Sequence, residues 1–137
     1  MRLNPQTARD RFMAERVARL ATVYPDLRPH LVPIVFAIAD DTIYTAVDAK
    51  PKTTTALRRL ANIAANPAVT VLADRYHEDW TQLWWTRADG VARLAGNSEA
   101  ERALHLLTAR YSVYLTQPPP GPVIAIDVTS WSGWTAS

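Results

Sequence analysis

The sequence predicts a mainly β protein (β with α), an antiparallel six-stranded barrel with flanking helices at its ends and corners. Three observations predict it. Apolar residues make up 48% of the 137 residues, enough for one core and too many for a disordered chain. The first strand-like runs follow one another across turn signals at Pro25-Asp26-Leu27-Arg28 and Asp40-Asp41, as hairpins instead of alternating βαβ units. Only four glycines are present, Gly90, Gly96, Gly121 and Gly133, so the glycine-rich turns of Rossmann and P-loop sheets are missing.

Asn4-Pro5 reads as an N-cap followed by proline at the first helical position, and Phe12, Met13, Val17 and Leu20 recur at helical spacing. A helix is expected over Pro5 to Arg16, then a strand over Val17 to Tyr24. His30 to Ala39 is the next strand. Both its faces are largely apolar, so it should be covered on two sides, by the core and by a partner subunit. Pro33 removes a ladder donor, and a bulge or interrupted pairing is expected there. Thr42 to Val47 pairs back across the Asp40-Asp41 turn. Thr53 or Thr54 caps a helix to about Asn66, with Leu57, Leu60, Ala61 and Ala64 as its buried stripe and Arg58 and Arg59 facing elsewhere.

Asn66-Pro67 stops that helix. Ala68 to Asp74 is β-branched strand, Tyr76 to Asp79 a polar connection, and Trp80 to Leu94 strand-rich but broken at Asp89-Gly90, where a turn or bulge is expected. Ser98-Glu99-Ala100-Glu101 matches a capping box, and Ala103, Leu104, Leu107 and Tyr111 form the stripe of the helix it opens. The run Gln117 to Pro122 is a rigid connector, and Val123 to about Trp134 is the last strand. No repeat or long linker divides the chain, so residues 1–137 are read as one domain.

Several function classes are excluded as expectations. With no cysteine there is no disulfide framework and no thiolate metal site, which fits a reducing, cytoplasmic compartment. The histidines, His30, His77 and His105, lie in unrelated segments, so no metal site is expected. Met1 to Asp10 lacks the apolar stretch of a signal peptide, and no run approaches the roughly 20 apolar residues that span a bilayer. Net charge is +2 and pI about 9.2, with the positive charge scattered and the aromatics in apolar strands, so no nucleic acid is expected as partner.

The distribution of cations is more informative than their sum. Lys50 and Lys52 are the only lysines, and both fall in one loop between a strand and a helix start. The run Thr45 … Lys50-Pro51-Lys52-Thr53-Thr54-Thr55 thus joins two ammonium groups and three hydroxyls to the free N–H groups of a helix N-terminus. Cations there oppose the helix dipole, and a bound phosphate offsets that cost. The alternative is a capped helix with a solvated basic turn. Arg58 and Arg59 extend the basic surface one turn on. His30 opens the two-sided strand, where it is either a donor to a bound heterocycle or a structural histidine. Trp84 and Trp85 point to opposite faces of their strand, and Trp131 and Trp134 lie near the C-terminus; these indoles fill the core and interfaces or line a groove.

The stretch Arg19 to Asp74 resembles the pyridoxamine 5'-phosphate oxidase-like family, in its deazaflavin-dependent branch. The matching residues are Leu20-Ala21-Thr22-Val23, Pro25-Asp26-Leu27-Arg28-Pro29-His30-Leu31-Val32-Pro33, Thr42-Ile43-Tyr44-Thr45, Lys50-Pro51-Lys52-Thr53, Leu60-Ala61-Asn62-Ile63 and Asn66-Pro67-Ala68-Val69. Further on, Trp84 to Ala92 looks like the family's aromatic strand before a Gly-x-Ala element, and Arg110-Tyr111 and Trp131 also fit. The resemblance implies a split β-barrel of the FMN-binding kind, a homodimer with cofactor sites at the subunit interface. It implies cofactor contacts from His30, Val32, Pro33 and Ile34 beside the ring, from Thr45, Lys50, Pro51, Lys52 and Thr53 at the phosphate, and from Arg58, Trp85 and Trp131. Leu27 departs from the pattern, since relatives carry Gly after Asp; the turn must avoid positive φ or bear strain.

The implied cofactor is the deazaflavin coenzyme F420, with FMN as the alternative. The broad basic rim of Lys50, Lys52, Arg58 and Arg59 suits the longer, anionic deazaflavin tail. The implied activity is an F420H2-dependent oxidoreductase passing hydride to an unsaturated small molecule. No catalytic side chain stands out, since the cofactor carries the chemistry. The alternatives are an FMN-binding oxidase or reductase of the pyridoxamine-phosphate-oxidase type and a carrier that holds a flavin, deazaflavin or haem without turnover.

Overall fold

The computed structural model describes residues 1–47 and 54–137. Its first element, α1 (Pro5–Ala14), begins as expected: the Asn4 side chain accepts from the Thr7 N–H at 2.8 Å, and Pro5 holds the first helical position. The helix ends two residues before Arg16, where Glu15 turns extended. Its buried face is Ala8 and Phe12, both fully buried.

The strands are β1 (Ala18–Val23), β2 (Pro29–Ile34), β3 (Ala37–Ala39), β4 (Thr42–Ala46), β5 (Ala68–Arg75), β6 (Trp84–Leu94) and β7 (Val123–Thr135). All pair antiparallel, in the order β2-β1-β5-β6-β7-β4-β3. Two consecutive strands, β2 and β3, therefore occupy opposite edges of one sheet. The chain crosses between them at Val35-Phe36, so the sheet must curl its edges toward each other, the split barrel expected from the sequence. Among the described residues there are seven strands and not six, because His30 to Ala39 is divided at this crossover.

The division falls two residues after Pro33, and not at it. Pro33 stays paired opposite Arg19. An edge strand has a free side, so the missing N–H costs no ladder bond. One face of β2 is covered, by Val32 and Ile34, while Leu31 is 65% exposed and Pro33 is exposed. The β1–β2 turn keeps Leu27 at φ 73°, a left-handed conformation that disfavours a residue with a Cβ.

The main core gathers Phe12, Leu20, Ile34, Phe36, Ile43, Val71, Ile124 and Ile126 inside the curl. A second cluster forms where α3 (Asn97–Arg110) covers the outside of β4 and β7, with Tyr44, Ala103, Leu107, Val123 and Ala125. This cover explains why β4 is buried along both faces. At Asp89-Gly90 the register of β6 against β7 shifts, so of the expected turn or bulge it is a bulge, and β6 runs on through it. A Cβ on Gly90 would stand 2.5 Å from the Asp127 carbonyl oxygen, so the strands approach this closely only at glycine.

Three local expectations are corrected. Trp80 lies in a 3₁₀ turn (Trp80–Gln82) capped by Asp79, whose side chain accepts from the Thr81 N–H. In α2 (Thr54–Ala65) the buried face carries Asn62 and Ile63, while Ala61 and Ala64 are exposed. Asn62 is fully buried, with its Nδ2 donating to Thr22 Oγ1 at 3.1 Å and its Oδ1 left without a hydrogen-bond partner. The N-cap of α3 is Gly96, with no side-chain cap bond; the helix starts at Asn97, so Ser98 lies inside its first turn and cannot cap it. Among the described residues no helix is long and apolar enough to cross a membrane.

Candidate functional site

Where β2 runs out into the crossover it passes β4 and leaves a cleft of about 370 Å³. Pro33, Ile34 and Val35 form one wall, Thr45 and Ala46 the other, and Arg59 of α2 reaches the rim. Thr45 is 1% exposed, and its hydroxyl donates to the Val35 carbonyl at 2.8 Å, tying the two walls together. Val17 and Tyr114 complete the lining.

Beside this cleft is a cationic corner. The Tyr24 ring has the Arg28 guanidinium 4.3 Å from its centroid and that of Arg58 at 5.0 Å, and His30 meets it edge-on at 5.5 Å. His30 Nδ1 is buried without a hydrogen-bond partner. Burial pushes the His30 imidazole below its ordinary pKa, and the charges of Arg59 and Arg58 lower it further. His30 is therefore neutral at physiological pH, with an unused ring nitrogen beside two cations.

The residues singled out from the sequence separate into groups. Pro33, Ile34 and Thr45 line the cleft, and His30 and Arg58 stand at the corner next to it. Val32 is a core residue, 9% exposed and packed inside the curl. Trp85 and Trp131 belong to another cleft of about 420 Å³, with Arg2, Arg87, Ser132 and Trp134. Cross-strand neighbours run from Arg87 through Leu72 and Arg19 to Pro33, so the two clefts lie about three strand spacings apart, roughly 14 Å. Trp131 is held there by its indole N–H, which donates to Asp41 Oδ1 at 3.1 Å, and by an edge contact with Phe12 at 5.4 Å. Lys50, Pro51, Lys52 and Thr53 lie outside the described residues.

Sequence reading missed Tyr24 and Tyr114. Tyr24 carried a usable signal, an aromatic at a strand end followed four residues later by Arg28. Tyr114 carried none, because only the return of the chain after α3 brings it to the cleft. Among the described residues no cluster of His, Asp and Glu could hold a metal ion.

Residues 5–135 match the profile of a family described as pyridoxamine 5'-phosphate oxidase. No curated protein sequence matches the chain. Similar solved structures include an FAD-binding protein from Mesorhizobium loti, 19% identical over 97% of this chain and 95% of that one, with a TM-score of 0.76. An FAD-binding protein from Mycobacterium smegmatis is 20% identical over 98% and 96%, with a TM-score of 0.66. A conserved hypothetical protein from Mycobacterium tuberculosis is 21% identical over 98% and 86%, with a TM-score of 0.77. At such identities the likeness establishes the fold, here over nearly the whole chain.

Proposed function

The chain belongs to the pyridoxamine 5'-phosphate oxidase family, and from that premise we propose that it is an oxidoreductase binding a phosphorylated flavin-type cofactor, the deazaflavin coenzyme F420, at the β2–β4 cleft. The observation that carries this reading is the pairing of an apolar-walled cleft with the corner of His30, Arg58 and Arg59. The donor set fits the group. Pro33, Ile34 and Val35 offer a flat apolar wall to a fused ring, and the neutral His30 has an unused Nδ1 for a polar ring edge. Arg58 and Arg59 match an anionic tail. On sequence grounds Lys50, Lys52 and Thr53 are assigned to the phosphate.

When bound, such a cofactor supplies hydride transfer to an electron-poor acceptor. The chain's own residues bind and orient. The Thr45 hydroxyl holds the Val35 wall, and the arginines supply charge that a neutral pocket could not. The two arginines beyond the phosphate corner favour the deazaflavin, whose tail is acidic, over FMN. A plain flavin is the second reading, favoured by the two similar structures described as FAD-binding. A small-molecule ligand is favoured over nucleic acid because Arg9, Arg19, Arg28, Arg75, Arg87 and Arg93 each lie within 4.0 Å of a carboxylate, which breaks up any basic stripe. The open face of β2, with Leu31 and Pro33, supports a homodimer in which a second copy covers it.

Titration of the purified protein with oxidised coenzyme F420, FMN and FAD, followed by cofactor and tryptophan fluorescence, tests the proposal. Micromolar affinity for the deazaflavin, exceeding that for FMN and weakened in Arg58→Gln and Arg59→Gln, is expected. Binding of none of the three overturns the reading, and tighter binding of FMN overturns its deazaflavin part.

A further inference from the structure

Tyr111 closes α3 and is not one of the residues lining the β2–β4 cleft, yet it touches the supports of three that are. Its hydroxyl accepts from the Phe36 N–H at 3.1 Å and shares its proton between the Phe36 and Arg16 carbonyls, each at 2.9 Å. Phe36 follows Val35, and Arg16 precedes Val17; both Val35 and Val17 line the cleft. The Tyr111 ring also packs edge-on against the ring of Tyr114, a third lining residue, with centroids 6.2 Å apart.

The crossover at Val35-Phe36 needs such support. It belongs to neither β2 nor β3, so no strand ladder fixes its backbone groups. Side chains substitute for a ladder: Thr45 takes the Val35 carbonyl, and Tyr111 takes both polar groups of Phe36. Arg110 reinforces the same place. Its guanidinium donates to the Met13 carbonyl at 2.9 Å and to the Glu15 carbonyl at 2.5 Å, and lies 5.0 Å from the centroid of the Phe36 ring.

We infer that Tyr111 is the positioning residue of the cofactor cleft: one hydroxyl fixes the strand crossover that forms its wall and the segment carrying Val17, and one ring fixes Tyr114. The inference rests on the cofactor reading for its ligand and on the hydrogen bonds alone for its mechanics. Tyr111→Phe removes the hydroxyl and keeps the ring. Tyr44→Phe is the matched control, since Tyr44 also bonds α3, through a 2.8 Å contact to Glu99, but does not line the cleft.

The experiment measures amide hydrogen exchange at Phe36, melting temperature, and affinity for coenzyme F420 and FMN in the wild type and both variants. In Tyr111→Phe the Phe36 amide should exchange at least tenfold faster and the cofactor should bind about tenfold more weakly, whereas Tyr44→Phe should leave both unchanged for a similar loss of melting temperature. Unchanged affinity in Tyr111→Phe overturns the inference, as does an equal loss in the two variants. A wild type that binds neither cofactor removes the cofactor reading, and the exchange arm then decides the mechanics alone. Should Tyr111→Phe not fold, a polyfluorinated tyrosine at position 111 replaces it. Its phenol ionises near neutral pH and then cannot donate to either carbonyl, so affinity should fall as pH rises through that ionisation; a flat profile overturns the inference.

Discussion

Arg93 on β6 meets Glu99 in the first turn of α3 in a two-pronged contact, Nη1 to Oε1 at 2.6 Å and Nη2 to Oε2 at 2.9 Å, while its Nε donates to Asp127 Oδ2 at 2.7 Å. Tyr44 adds a bond to Glu99 at 2.8 Å, and Thr42 one to Asp127 at 3.1 Å. One guanidinium thus ties α3 to the sheet that it covers. The bonds from Arg93 and then from Tyr44 hold the Glu99 carboxyl down at about 2, against an ordinary 4.5.

That depression fixes the sign of a pH effect. Above pH 4.5 Glu99 is ionised in both states and its contacts contribute fully. As pH falls from 4.5 toward 2 the unfolded chain takes up a proton that the folded chain refuses, so the contribution is lost. With the Arg93 side chain 44% exposed, solvent screening limits the pair to about 1 kcal/mol. Glu99→Gln should therefore melt a few degrees below wild type at pH 7, with the gap closing as pH drops through that window. Thermal melts across pH measure it; a gap that persists at low pH would contradict the assignment.

Protonation of His30 should run the other way from that of a salt-bridged histidine. Its pKa is lowered from 6.5, so as pH falls below 6.5 the unfolded chain binds a proton first and stability declines. NMR titration should show His30 taking up its proton at lower pH than an ordinary imidazole, whose pKa is 6.5. His30→Gln should flatten the fall in urea midpoint below pH 6.5.

Leu27 holds φ 73° with 78% of its surface exposed, so it carries strain without burial in return. Leu27→Gly should relieve about 1 kcal/mol of backbone strain, partly offset by the entropy of glycine. The melting temperature should rise by about 2–4 °C. A fall in melting temperature would mean that the turn is not strained.

Gly90→Ala should be severe, because its Cβ would meet backbone, the Asp127 carbonyl oxygen at 2.5 Å and its carbon at 3.1 Å, and strand backbone cannot step aside. A loss of about 2–3 kcal/mol is expected by chemical denaturation. A loss below about 0.5 kcal/mol would show that the bulge can open.

Asn62 and Thr22 form a buried polar pair, both at or below 1% exposure. Thr22→Val should cost about 1–3 kcal/mol by leaving the Asn62 amide unpaired. Thr22→Val with Asn62→Leu should recover most of that loss in equilibrium unfolding, since no polar group is then stranded.

Much of the fold was legible because its signals are local. The Asn4-Pro5 helix start, the Asp40-Asp41 hairpin and the Asp89-Gly90 bulge each depend on a few adjacent residues whose dihedral and hydrogen-bonding preferences suffice. Two errors have a common cause. The stripe of α2 and the cap of α3 were assigned from spacing and motif, but a helix turns its face toward whatever it meets. Thr22 gave Asn62 a partner, and α3 begins at Asn97, which puts Ser98 inside the first turn instead of at the cap.

By itself the sequence determined the mainly β antiparallel class, the three helices among the described residues and the family, because alternation, turn chemistry and motif order are written along the chain. The resemblance assigned twelve residues to one cofactor site, of which Pro33, Ile34 and Thr45 line the β2–β4 cleft and His30 and Arg58 stand beside it. Only the tertiary structure decided that one apparent strand is two on opposite edges of a sheet, that Trp85 and Trp131 line a separate cleft, and that Tyr111 holds Phe36 from 75 residues away. Such pairings form when distant segments pack, and their energies depend on who the neighbour is, which local periodicity does not record.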